Sequence, residues 1–299
     1  METQVLYNIN HQEAFGLFIA IYFYLTGLSA GSFILSTLSY GFGMVQFKSL
    51  GRVGIVLATA LLIVAPLFLL LHIGAPYRAW HLFAYLNLHS PITWGCFLLI
   101  LYPLNCMVYG YFMFKENLKF TRIFAFIGIP LAISVHGYTG FILAFGKARA
   151  LWNSAIMPIL FLASAVVSGI ALMILVCVIK DRFFSKEKKI DQDLIFKLGR
   201  MLAWVIVFDL FLVFSDILVL SISHTEAQAA AHMLLGGGAF SILFLVVENL
   251  LGKIVPFILL TVPRFRTKVT VIIASLLVVV GIFFMRYVVV LGGESIPLL

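Results

Sequence analysis

Four residues, Tyr22, His72, His136 and Tyr138, have side chains whose chemistry an apolar setting would sharpen. A tyrosine hydroxyl donates to a carbonyl oxygen, and an imidazole both donates and relays protons near neutral pH. All four lie in or at the end of long apolar segments. Counted at 1.5 Å per helical residue, they share one depth, within roughly the outer 15 Å of a bilayer. Polar groups at such a depth are costly and tend to line an interior site or cavity. Taken singly, a buried His or Tyr is more often a satisfied packing residue, so the convergence of three helices is what makes a site worth weighing. The chemistry suits a lipid-soluble carbonyl compound that takes up two electrons and two protons, as a quinone does. It would equally suit a polar-substrate pocket in a transporter.

Eight apolar segments must position these residues: 14–42, 52–74, 91–114, 121–146, 153–179, 198–222, 234–261 and 268–292. Each is about 20 residues or longer, enough to cross roughly 30 Å of hydrocarbon as a helix. The expected fold class is therefore all-α, a polytopic membrane protein with eight transmembrane helices. The natural grouping is two four-helix bundles, helices 1–4 over about 14–146 and helices 5–8 over about 153–292. The connections after helices 1, 3, 5 and 7 hold most of the basic residues. These are Lys48 and Arg52, then Lys115, Lys119 and Arg122, then Lys180, Arg182, Lys186, Lys188, Lys189, Lys197 and Arg200, then Arg264, Arg266 and Lys268. The opposite side has only Arg78, Lys147, Arg149 and, at the end of helix 8, Arg286, while Lys253 lies inside helix 7. The positive-inside rule makes the basic side cytoplasmic and puts both termini outside. His11, His81, His89, His224 and His232 then fall at or beyond the outer boundary.

Composition excludes a soluble domain. The protein is 63% apolar and 11% charged, with a mean hydropathy of +1.13, whereas soluble domains are nearer half apolar. The net charge of +8 reflects basic loop ends that face anionic lipid, and no nucleic-acid partner is expected. The first apolar run has no basic n-region and no small-residue cleavage site, so it is read as helix 1 and not as a signal peptide. Cys96, Cys106 and Cys177 lie in apolar segments without CxxC spacing and are expected to pack. The stretch 180–197, opening KDRFFSKEKKIDQD, reads as a solvated loop. Gly27, Gly31, Gly137, Gly140 and the run Gly236 to Gly238 suit close helix contacts.

The second half holds its own membrane charges: Asp209 and Asp216 on helix 6, Glu248 and Lys253 on helix 7. Asp209 and Asp216, seven apart, fall on nearly one helix face. Asp209 and Lys253 share a depth that allows an ion pair. The set reads either as a neutralised packing pair or as a candidate proton path from the cytoplasm. Two other classes stay open: a haem b anchor, for which His72 and His136 offer only one axial pair, and a small-solute transporter, for which no inverted repeat is visible.

Two long stretches carry a resemblance. They are HIGAPYRAWHLFAYLNLHSPITWG, residues 72–95, and GYTGFILAFGKARALWNSAIMPILFLASAVVSGIAL, residues 137–172. With YFYLTGLSAGSF on helix 1 and the closing MRYVVVLGG, they resemble the polysulfide reductase membrane-subunit (NrfD-like) family over most of the sequence. The resemblance implies a quinone-reactive subunit, expected to use menaquinone, with no haem or iron–sulfur cluster of its own. It implies a bacterial or archaeal cytoplasmic membrane location. The implied partners are an extracytoplasmic iron–sulfur subunit and a molybdopterin-type catalytic subunit or multihaem cytochrome c. By the same resemblance Tyr138 matches the tyrosine that contacts the quinone head group. Tyr22 stands where a quinone-site His occurs, His72 where an acidic residue is common, and Ala75 where a basic residue precedes Pro76. Arg78, Lys147 and Arg149 are candidate docking residues, while Trp80 and Trp94 read as interfacial anchors.

Overall fold

The computed structural model describes residues 15–183, 192–265 and 267–296. His11, Lys186, Lys188, Lys189 and Arg266 lie outside them. Among the described residues there is no strand, and eight helices are long and apolar enough to span a membrane. They are α1 (Leu17–Tyr40), α2 (Lys48–His72), α3 (Pro91–Phe114), α4 (Leu118–Ala144), α5 (Met157–Phe183), α6 (Gln192–Ile222), α7 (Ala239–Thr261) and α8 (Lys268–Ser295).

Local chemistry sets the ends. Pro91, whose missing N–H costs nothing in a first turn, opens α3 after an extended Ser90. The Asn117 side chain accepts from Phe120 N at 3.3 Å to cap α4, and Thr267 Oγ1 accepts from Thr270 N at 3.2 Å to cap α8. The seventh apolar segment begins later than its hydropathy predicts. A short helix, Thr225–Leu235, ends in a turn with Gly237 at φ +95°, and α7 starts only at Ala239. The eighth runs further than predicted, to Ser295.

α1 packs on α2, α4, α5 and α8, and α5 in turn meets α4, α6 and α8. Small residues make the α1–α5 contact possible: a Cβ on Gly31 would collide with the Ala165 carbonyl and the Gly169 backbone. Gly27 and Gly140 sit in similar close approaches, as expected. Gly137, Gly237 and Gly238 do not, since a Cβ on any of them would meet open space, and Gly236 faces only its own helical turn at His232.

Two stretches depart from α geometry. Leu243–Ile254 in α7 and Val288–Gly292 in α8 are π-helical, with i→i+5 bonding. Both lie beside the buried charges described next.

Candidate functional site

A cavity of about 620 Å3 lies between α1, α2, α3, α4 and the segment that joins α2 to α3. Its volume is in the range of small-molecule sites, and its wall is mostly apolar, with Ile19, Phe23, Leu69, Leu99 and Ile142 contributing. Tyr22 of α1, His72 at the end of α2 and Tyr138 of α4 all line it. Tyr22 is only 3% exposed, and its buried hydroxyl has no hydrogen-bond partner among the described residues. An orphaned donor on the wall of an apolar cavity is what a ligand carbonyl would satisfy. Gly95 of α3 admits the Tyr138 ring, because a Cβ there would strike it. Arg78 and Cys96 add polar atoms to the lining, beside Ala75.

His136 stands apart from this cavity. Residues two apart on a helix point about 200° from one another, so Tyr138 and His136 share a depth but not a direction. The His136 ring is fully buried against Phe161 of α5, beside Gly27, with Nε2 2.7 Å from the Phe161 carbonyl oxygen. Arg286 Nη2 lies 2.8 Å from that same oxygen, 2.6 Å from Ser164 Oγ and 3.1 Å from His136 Nε2. The two protons on Nη2 satisfy the carbonyl and the hydroxyl. His136 is then assigned the neutral Nε2–H form, donating to the other lone pair of the carbonyl. The guanidinium carbon also sits 3.6 Å from the Phe161 ring centroid, a cation–π contact.

Arg286 therefore is not the outer loop-end charge that the sequence suggested. It is 1% exposed, because α8 continues past it through the π-helical turn to Ser295. The apolar MRYVVVLGG around it was the available sign.

The remaining charges gather on the other side of α8. Lys253 Nζ is 2.8 Å from Asp209 Oδ2 and 2.8 Å from Glu248 Oε1, with all three side chains at most 1% exposed. The expected Asp209–Lys253 pair is present, and Glu248 joins it. In an α-helix residues five apart diverge by about 140°. The π-helical stretch Leu243–Ile254 instead brings Glu248 and Lys253 to one face. Asp216, two turns along α6, accepts from Ser154 Oγ at 2.7 Å. With Arg286 nearby, two formal cations balance the Asp209 and Glu248 carboxylates, as burial requires.

The loop residues separate as well. Arg78 and Lys147 are exposed, and Arg78 lies 5.5 Å from the Tyr77 ring centroid. Arg149 is committed within the protein itself. It donates to the Glu294 and Ile296 carbonyls and pairs with Glu294 Oε1 at 2.9 Å, both side chains largely buried. Its expected place on an open docking surface is thus taken by the C-terminal segment. Trp80 and Trp94 are exposed at the same end, and Trp94 Nε1 donates to Leu88 O at 2.9 Å.

Eight apolar spans, closely packed and enclosing an apolar cavity with a few polar groups on its wall, define a multi-pass integral membrane protein with a small-molecule site. The chain belongs to the family described as Polysulphide reductase, NrfD, which matches residues 6–297. It is 30% identical to a selenate reductase subunit of Mesobacillus selenatarsenatis, over 95% of its own length and 75% of that relative. It is 25% identical to the protein NrfD of Escherichia coli, over 92% of its own length and 93% of that relative. The integral membrane subunit of menaquinone reductase from Nitratidesulfovibrio vulgaris is 24% identical, over 95% of the present sequence and 74% of the relative's.

Proposed function

We propose that this protein is the quinone-reactive membrane subunit of a respiratory oxidoreductase, with the quinone ring seated in the 620 Å3 cavity. The observation that carries the reading is the buried Tyr22 hydroxyl on the cavity wall, unpartnered among the described residues. Tyr22 donates to one carbonyl oxygen of the ring. Tyr138, held by the gap at Gly95, fixes the ring from α4. His72, at the end of α2, exchanges protons with the aqueous side near neutral pH. Oxidation of a bound quinol releases two protons by this route and passes two electrons to a partner. Menaquinone is the quinone we favour, supported by the name of the Nitratidesulfovibrio relative.

The partner is an iron–sulfur subunit docked at the end that carries Arg78 and Lys147, in contact with a molybdopterin-type catalytic subunit or a multihaem cytochrome. The distribution of basic residues supports placing that end, and both termini, outside the cytoplasm. The ring of contacts among α1–α4, and the second among α5–α8, support two four-helix bundles. Of the candidate proton groups, Asp209, Glu248 and Lys253 are neutralised by one another, whereas Asp216 has no ion pair among the described residues.

The test is Tyr22→Phe beside Tyr138→Phe in the assembled complex. Loss of one hydrogen bond, about 1–1.5 kcal/mol, should lower quinol-dependent turnover roughly five- to tenfold. Activity of the partner with an artificial dye donor should survive. Quinol turnover at the wild-type level in both variants would remove the site from this cavity.

A further inference from the structure

A second, much smaller cavity lies among α5, α6, α7 and α8. About 20 Å3 of it is open to the centre of a water molecule, room for one water. Asp216 and Glu248 line it, among apolar neighbours that include Leu234, Phe244 and Met285. Glu248 Oε1 is taken by Lys253, but Oε2 is buried and has no partner among the described residues. Asp216 has one oxygen bonded to Ser154 and presents its carboxylate to the same space. A buried water needs two to four polar partners, and an unpaired carboxylate oxygen needs a donor. Each requirement meets the other here.

We propose that this cavity holds an ordered water which hydrogen-bonds Asp216 and Glu248. It completes a proton relay from Ser154 through Asp216 and the water to Glu248. The relay opens at one face only. Ser154 lies in the half-exposed segment between α4 and α5, at the same end as the large cavity, with Asn153 and Ala155 exposed beside it. Beyond the Lys253–Asp209 pair the opposite half of these helices is apolar. Leu202, Ile206, Leu260, Val271 and Val278 pack there as one cluster, and the Ser275 hydroxyl is bound back to the Val271 carbonyl. Gly252 and Gly281 bring the α7 and α8 backbones together, so that a Cβ on either would strike the other. A proton reaching Glu248 returns the way it came. The relay thus gives the candidate proton groups named above a single access face, and it does not depend on where quinone binds.

Two measurements on the intact complex test this. A map that resolves waters should show a density peak within hydrogen-bond reach of both carboxylates; an empty cavity would overturn the proposal. Infrared carboxyl bands, assigned by their loss in Glu248→Gln, can be followed in oriented proteoliposomes as pH is stepped down on one face at a time. The Glu248 band should respond to the step on the Ser154 face and at least tenfold more slowly to the other. Asp216→Leu should slow that response at least tenfold. Asp216→Asn, which keeps the volume but cannot carry the proton, should do the same and guards against misfolding of the first variant. Equal response from both faces, no response from either, or indifference to both Asp216 variants would sink the relay, whatever the quinol turnover.

Discussion

Two carboxylates face the single ammonium of Lys253 at 2.8 Å each, in a setting no more than 1% exposed. Lys253→Met would leave both without their cation, and breaking a buried pair from one side costs about 3–5 kcal/mol. The expected outcome is a clearly lower melting temperature of the solubilised protein. Replacing all three residues together by apolar ones should recover much of the loss, because no orphaned charge remains. A Lys253→Met variant melting like wild type would show that water reaches this cluster. At this scale the sequence exposed part of the site and hid part. Depth along each helix was readable, so Tyr22, His72 and Tyr138 could be brought to one level before their shared cavity was seen. Direction around the helix was not, which is why His136 was grouped with them although it turns toward Phe161 and Arg286. Arg286 looked like a loop-end charge because nothing in a run of apolar letters states where a helix stops.

Among the elements, α3 and α4 meet at a point that shapes the large cavity. Gly95 leaves room for the Tyr138 ring, and a single added methyl would push it aside. Overpacking of this kind costs about 1–3 kcal/mol, here spent on displacing a side chain that lines the site. Gly95→Ala should therefore weaken binding of a quinol-site inhibitor by tenfold or more while the helical content stays intact. Unchanged inhibitor affinity would mean that the ring position does not matter to the ligand. The spans themselves were legible from hydropathy to within a few residues at most ends. Where they were not, a local device intervened: the Gly237 turn shortened α7, and the π-helical turn at Val288–Gly292 carried α8 onward.

For the molecule as a whole, Arg149 ties the α4–α5 connection to the last described residues through Glu294 and Ile296. Arg149→Ala removes charge-assisted hydrogen bonds of about 1.5–3 kcal/mol each. Amides of residues 290–296 should exchange hydrogen faster, while those in the middle of α1 stay protected. Faster exchange throughout would mean that this tie holds up the entire bundle. Arg78 and Lys147 remain exposed at the same end, so Arg78→Glu or Lys147→Glu should weaken co-purification of the partner, most visibly as salt is raised. Retention of the partner at wild-type levels in the double variant would place the docking surface elsewhere.

The π-helical stretch Leu243–Ile254 ties the charge cluster to residue count as much as to residue type. Its wide turns hold one more residue per turn of bonding than an α-helix would, and that geometry alone sets Glu248 five places before Lys253 on a common face. Removing any one apolar residue between them would let the segment tighten toward the α form. Glu248 and Lys253 would stay four apart and still face one another. Everything on one side of the deletion would rotate by about 100° relative to the other, however, so Asp209 and the Gly281 backbone could no longer both be met. Each charge would survive in name, yet the α6–α7–α8 register would be lost. For this segment, length is as strict a constraint as the ionisable groups themselves.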